Sequence, residues 1–250
     1  MFRLTIKMTS SNAVPSPNWG TLMHGMLIEH LRGAWPFLLH EDQGRPITQW
    51  VEPVSTTQLN WHVQMMEDSL AVSFLESCQK GDQWYCQHNG SRLAVEEIKV
   101  EQDSLSDYVN RKLTEGTQVS DITIQFKTTT THKSQGKYVL FPTVELIANS
   151  LRNRLSEADE SLTLPDEKLK LLTEHTQIHQ YQLRSALFGL EGSWVKGYTG
   201  QVTLRISGPE PILRFGNLLF GLAPWFGVGI KTTLGMGGCV IPPWRGRETH

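Results

Sequence analysis

Polar and apolar residues alternate from the start of the chain. Phe2, Leu4, Ile6 and Met8 fall on one side of an extended segment, which predicts a β-strand. Pro15 and Pro17 then break the pattern, and Asn18 is placed to cap a helix from about Trp19 to Gly33 with an apolar stripe of Leu22, Met23, Met26, Leu27 and Leu31. Extended stretches follow at about Ile47 to Val54 and Leu59 to Met65, then a helix at about Asp68 to Cys78 and a strand carrying Leu93, Val95, Ile98 and Val100. The order reads β-α-β-β-α-β.

The same order returns. Ile122, Ile124 and Phe126 alternate, Thr143 to Leu155 places Leu146, Ile147 and Leu151 on one helical side, and extended segments run at about Ile178 to Phe188 and Trp194 to Ile206. A helix from about Pro211 to Leu222, a glycine-dense loop and a strand through Val240 close this second unit. The expected fold class is therefore α+β, with two tandem ferredoxin-like (βαββαβ) domains over residues 1–116 and 117–250. The repeat is one of pattern, since the halves share no visible sequence identity.

At 250 residues each half can bury a core of its own. No apolar run approaches the roughly 20 residues of a membrane helix, and Met1 to Lys7 alternates like a strand instead of reading as a signal sequence. Cys78, Cys86 and Cys239 lack C-x-x-C spacing, so neither a zinc site nor a disulfide framework is implied, and a reducing cytoplasm is expected. The net charge of -2 is unevenly spread: from residue 181 onward seven Lys and Arg face three acids, which allows a local basic surface on an acidic chain.

The candidate chemistry starts with the loop Gly227 to Gly238. Its glycines allow backbone amides to approach a phosphate chain and Lys231 adds charge, which suggests an RNA or nucleotide ligand. The spacing matches neither G-x-x-x-x-G-K-[ST] nor G-x-G-x-x-G, so a P-loop or a dinucleotide fold is not indicated. On the first helix His30 lies within the apolar stripe, as a core histidine does, whereas His24 sits at its margin. His40 follows a short apolar turn, where an imidazolium would offset a helix dipole. His24 and His30 are six residues apart, the wrong spacing for a helical metal site. His175 and His179 have the right spacing but no third ligand near them. No G-x-S-x-G nucleophile elbow exists, and the aromatic strand signature of an RNA-recognition motif is absent.

Three stretches together resemble the CRISPR-associated endoribonucleases that cut repeat RNA, members of the RAMP superfamily. Asn18 to Leu31, with Leu39-His40-Glu41 and Arg45 to Thr48, is similar to the family's first helix, its "LHE" element and its "kPFT" strand start. Phe126 to His132 and Phe141 to Ile147 resemble "F-T-P-T-x-F … P-x-P-x-L", with Thr129 or Thr130 where the family has proline. Gly197 to Val202 and Gly227 to Gly238 resemble "G-F-x-G-x-V" and "GxGxKTxxGxG".

The resemblance implies RNA cleavage without metal or other cofactor. The RNA's own 2′-hydroxyl attacks the adjacent phosphate and leaves a 2′,3′-cyclic phosphate and a 5′-hydroxyl. Imidazoles suit the proton transfers at neutral pH. By resemblance His24 and His40 are the general acid and base, and Arg45 the cation near the phosphate. Where relatives carry a tyrosine one turn along the first helix this chain has Ile28, so no tyrosine role transfers. The implied RNA grip consists of Lys133 and Lys137 of a candidate hairpin, Lys231, and the backbone of Gly227, Gly229, Gly235, Gly237 and Gly238. The implied partners are CRISPR repeat RNA and a multisubunit effector complex, with no membrane, and pairing into a homodimer stays open. The alternative reading is a catalytically silent subunit that holds repeat RNA for such an effector.

Overall fold

A computed structural model describes residues 1–31, 47–86, 90–116, 118–190 and 192–243. The first half builds a five-stranded sheet from β1 (Phe2–Ser10), β2 (Ile47–Pro53), β3 (Gln58–Met65), β4 (Gln83–Tyr85) and β5 (Arg92–Gln102), in the order β2-β3-β1-β5-β4. Helices α1 (Gly20–His30) and α2 (Asp68–Ser77) cover one face. The alternation seen in β1 is the burial pattern: Leu4, Ile6 and Met8 are sealed against Met23 and Leu27 of α1 and Phe74 of α2.

The second half repeats the plan with β6 (Asp121–Thr130), β9 (Thr176–Leu190), β10 (Ser193–Ile206) and β11 (Cys239–Val240), in the order β11-β6-β10-β9. Leaving out the short β4, the two sheets share one strand order, fourth-first-third-second, and every pairing is antiparallel. This is the ferredoxin-like arrangement that the pattern predicts. Helices α4 (Val144–Ala158) and α6 (Glu210–Gly221) pack Ile147, Leu151, Leu219 and Phe220 onto Ile124, Val202 and Leu204. A small hairpin, β7 (His132–Ser134) and β8 (Lys137–Val139), stands between β6 and α4. Its turn places both Gln135 and Gly136 at positive φ, the combination that a two-residue hairpin turn requires.

Some elements differ from expectation. Asn18 is not the cap of α1. Pro17–Trp19 form a 3-10 turn capped by Ser16, whose side chain accepts from the Asn18 backbone N–H, while the Asn18 side-chain Oδ1 accepts from Gly189 N at 3.4 Å. Helices α3 (Leu105–Thr114) and α5 (Asp166–Glu174) and strand β4 went unread. The expected division at residue 116 separates the two sheets in sequence, yet α3, just before it, buries Tyr108 and Val109 in the core of the second half.

The halves are joined through a buried amide. Gln49, fully buried on β2, donates from Nε2 to the carbonyls of Gly20 (2.7 Å) and Thr233 (2.9 Å), and its Oε1 accepts from Trp61 Nε1 at 2.9 Å. One side chain thus ties the start of α1, the glycine loop and the core of the first half. Replacing it with leucine leaves the Thr233 carbonyl and an indole N–H without this partner, each worth about 1–3 kcal/mol when buried, and takes a second donor from the Gly20 carbonyl at the start of α1. Gln49→Leu is therefore expected to lower unfolding stability by about 3 kcal/mol or more, measured as an unchanged urea m-value with a lower midpoint. An unaltered midpoint would remove Gln49 from this role.

Candidate nucleic-acid interface

The glycine loop starts where the one-turn helix α7 (Ala223–Phe226) ends at Gly227, φ 67°. Its backbone is saturated from within. The Val228 amide donates to Gly237 O at 3.0 Å, Gly229 to Ser150 Oγ at 2.8 Å and Ile230 to Thr131 O at 3.0 Å. Gly237 donates to Thr129 O at 3.1 Å and Gly238 to Thr128 Oγ1 at 2.9 Å, while Gly235 closes a turn onto Thr232 O at 3.4 Å. The amides of Gly227, Gly229, Gly235, Gly237 and Gly238 thus serve the fold in this conformation. Gly237 and Gly238, with Ile230, bond the threonine run at the end of β6, whereas Gly227 bonds Ala223 O at 2.9 Å.

What the loop offers a ligand is Lys231. It sits at φ 58°, a left-handed conformation that costs a residue with a Cβ about 1–2 kcal/mol. The strain is held by the 3-10 turn Thr232–Leu234 that follows, where Leu234 N and Met236 N both donate to Lys231 O at 3.0 and 3.3 Å. Arg154 of α4 hydrogen-bonds Thr232 Oγ1, and Thr48 Oγ1 of β2 reaches the same oxygen at 3.4 Å.

On one side of the loop lies α1. A Cβ on Gly20 would overlap the Leu234 carbonyl, so the helix starts in direct backbone contact with the loop, and Gly235, φ 97°, allows the same approach from the other side. His24, half-buried, lies four residues further on and therefore on the same helical face, one turn from that contact. His30, by contrast, stacks on Trp84 with ring centroids 3.7 Å apart and bonds Met26 O at 2.8 Å, the structural role expected of it. His40 and Arg45 lie outside the described residues.

On the other side of the loop opens a polar cleft of about 720 Å³ between the β7–β8 hairpin, α4 and residues 229–231. Lys133 and Lys231 both line it. Lys137 is exposed but pairs with Ser134, on the opposite hairpin face from the Lys133–Tyr138 pair, and does not line the cleft. Sequence reasoning missed the remaining lining groups, among them His132, Tyr138, Asn149, Asn153 and Arg154. The signal for the two asparagines was their i, i+4 spacing on the polar side of a helix read for its leucines. Among the described residues no cluster of His, Cys, Asp and Glu could hold a metal ion, and no helix is long and apolar enough to cross a membrane.

The cleft floor is a neutral imidazole. His132 is only 4 % exposed, its Nε2 lies 3.1 Å from the Tyr198 hydroxyl, and burial pushes its pKa down to about 4, as burial pushes the Tyr198 phenol up. An unfolded histidine titrates near 6.5. The unfolded chain therefore takes up this proton first, so stability is full above about pH 6.5 and is lost as pH falls toward about 4. The loss is on the order of 3 kcal/mol. His132→Gln, which cannot titrate, is expected to flatten the fall in urea midpoint between pH 7.5 and 4.5. Parallel pH profiles would count against a buried neutral ring.

Comparison with known proteins places this geometry. The family model for the CRISPR-associated endoribonuclease Cas6 matches residues 124–239. A Streptococcus thermophilus protein of that name is 27% identical over 233 residues, covering 90% of this chain and 91% of the relative. A Mycobacterium tuberculosis Cas6 is 23% identical, covering 92% of this chain and 73% of its own. The structure of a Thermus thermophilus Cas6 in a product complex superimposes with a TM-score of 0.80 at 21% identity, over 97% of this chain and all of that one (100%), a likeness of fold.

Proposed function

We propose that this chain, a relative of the CRISPR-associated Cas6 endoribonucleases, is itself an endoribonuclease that cuts CRISPR repeat transcripts into guide RNAs. Cleavage needs no metal. A base takes the proton of a 2′-hydroxyl, the oxygen attacks the adjacent phosphorus, and the bond from phosphorus to the next 5′-oxygen breaks as an acid protonates that oxygen. The products are a 2′,3′-cyclic phosphate and a 5′-hydroxyl. His24 and His40 fill the two proton-transfer roles, and Arg45 offsets charge on the five-coordinate phosphorus.

The observation that carries this reading is the Gly20–Gly235 contact, which sets the helix bearing His24 directly against the loop bearing Lys231. A strand held by Lys231 runs past that helix. Lys133 and Lys137 add charge on the hairpin side, so phosphate grip and proton transfer come from opposite halves of the chain. Repeat RNA is the partner, and an effector complex that receives the guide fits the same role.

The test is end-labelled repeat RNA incubated with the protein in excess EDTA. Cleavage is expected, with a 3′ end that resists phosphatase until acid opens the cyclic phosphate to a monoester. His24→Ala and His40→Ala should each slow cleavage by about 100-fold or more with RNA affinity unchanged, as for groups that act in the transition state. Full activity in the double variant would overturn the mechanism, and tight binding without product would overturn the activity. Lys231→Ala should weaken binding and reduce the slope of log affinity against log salt by about 0.7–0.9. An unchanged slope would exclude Lys231 as a phosphate contact.

A further inference from the structure

The cleft beyond the loop is equipped for more than phosphate. Its volume of about 720 Å³ falls in the range of pockets that enclose small ligands. Lys133 and Lys231 supply positive charge at its rim, and Tyr138, 47 % exposed, offers an aromatic face beside Lys133. Its wall is amide. Asn149 donates from Nδ2 to Glu145 O at 2.8 Å, which leaves its Oδ1 to accept, and Asn153 stands one turn further on the same helix face, exposed. At the floor the Nε2 of His132 is taken by Tyr198, which leaves Nδ1 as the ring nitrogen for the cleft. Glu157, the carboxylate in the lining, is paired with Arg154 at 3.3 Å.

A surface that only neutralises phosphates has no use for two neutral amides and an imidazole lining the same cleft as an aromatic ring. A nucleobase uses all of them, because its edge needs fixed donors and acceptors and its face needs a stacking partner. The cleft is also in the right place. Lys231 lines the cleft and leads directly into the turn Thr232–Leu234, whose end meets the start of α1.

We propose that the cleft is a single-nucleotide subsite, in which a base near the cut phosphate stacks on Tyr138 and is read by Asn149, Asn153 and His132. The subsite rests on the endoribonuclease reading above, and its test separates the two. Repeat RNAs from the protein's own genome carry each of the four bases in turn at the three nucleotides on either side of the cut. They are cleaved under single-turnover conditions by the wild-type chain and by Asn153→Ala, Tyr138→Ala and Tyr138→Phe.

The wild type is expected to discriminate among bases by about tenfold or more at one of these positions. Asn153→Ala should lose that discrimination there and keep any other. Tyr138→Ala should weaken RNA binding about tenfold whatever the base, because stacking tolerates every base, and Tyr138→Phe should retain wild-type affinity. A base profile unchanged by Asn153→Ala, or an affinity unchanged by Tyr138→Ala, overturns the subsite. A wild type that cuts but ignores base identity at all these positions overturns the subsite alone. A wild type that cuts no repeat RNA overturns the endoribonuclease reading and the subsite with it.

Discussion

Everything proposed for this protein depends on two backbones lying closer together than any side chain permits. Gly20 begins α1 and Gly235 ends the 3-10 turn of the loop, and a Cβ on either would meet main-chain atoms of the other. Backbone cannot move aside as a flexible side chain does, so this contact fixes the spacing between a helix of the first half and a loop of the second. Gln49 then supplies what the contact cannot, a hydrogen bond to a carbonyl on each side. A buried primary amide has two donors and one acceptor group to satisfy, and here Gly20, Thr233 and Trp61 satisfy them all. The joint is thereby geometrically specific, where a purely apolar contact between halves could slide.

The same joint explains why a lysine occupies a left-handed position. A glycine at 231 would adopt φ 58° without strain but would bring no charge, and asparagine would bring none either. The 1–2 kcal/mol is absorbed by neighbours that over-determine the turn: two amides on the Lys231 carbonyl, and Arg154 and Thr48 on Thr232. Such strain is held where a side chain must point in one direction. Lys231 lines the cleft, one residue before the turn that meets α1.

Much of this was legible in the residues. Strands with one sealed face, such as β1 and β6, announce themselves by alternation, and α2 and α4 by their apolar spacing, because burial on one side imposes the period. The unread elements lack that imprint. Strand β4 has three residues and a single buried one, Trp84, while α3 and α5 are polar helices that each bury only two side chains. The Asn18 cap failed because Pro17 favours a turn that Ser16 already closes. The partners of the glycine loop were hidden for a different reason. A local sequence shows that amides can approach something, but not that the threonine run Thr128–Thr131, about a hundred residues earlier, is what they approach. Likewise His24 could be picked out by its place on a helix, whereas His132 depends on a fold that brings Tyr198 over it.

In the proposed subsite, affinity and discrimination would come from different groups. Charge placed at the rim attracts any polyanion and weakens with salt, so it carries affinity with little sequence information. Neutral donors and acceptors held below it gain little from long-range attraction, but a mismatched partner leaves them desolvated and unpaired, which is where discrimination comes from. For that division to work the floor must stay neutral. An imidazolium there would attract phosphate into the place meant for a base and would lose one of its two hydrogen-bonding modes. Burial does this for His132 by making protonation unfavourable well below neutral pH, with the Tyr198 hydroxyl holding the ring in place. The burial that makes the fold sensitive to acid is thus the same burial that would keep the proposed subsite from becoming one more phosphate contact.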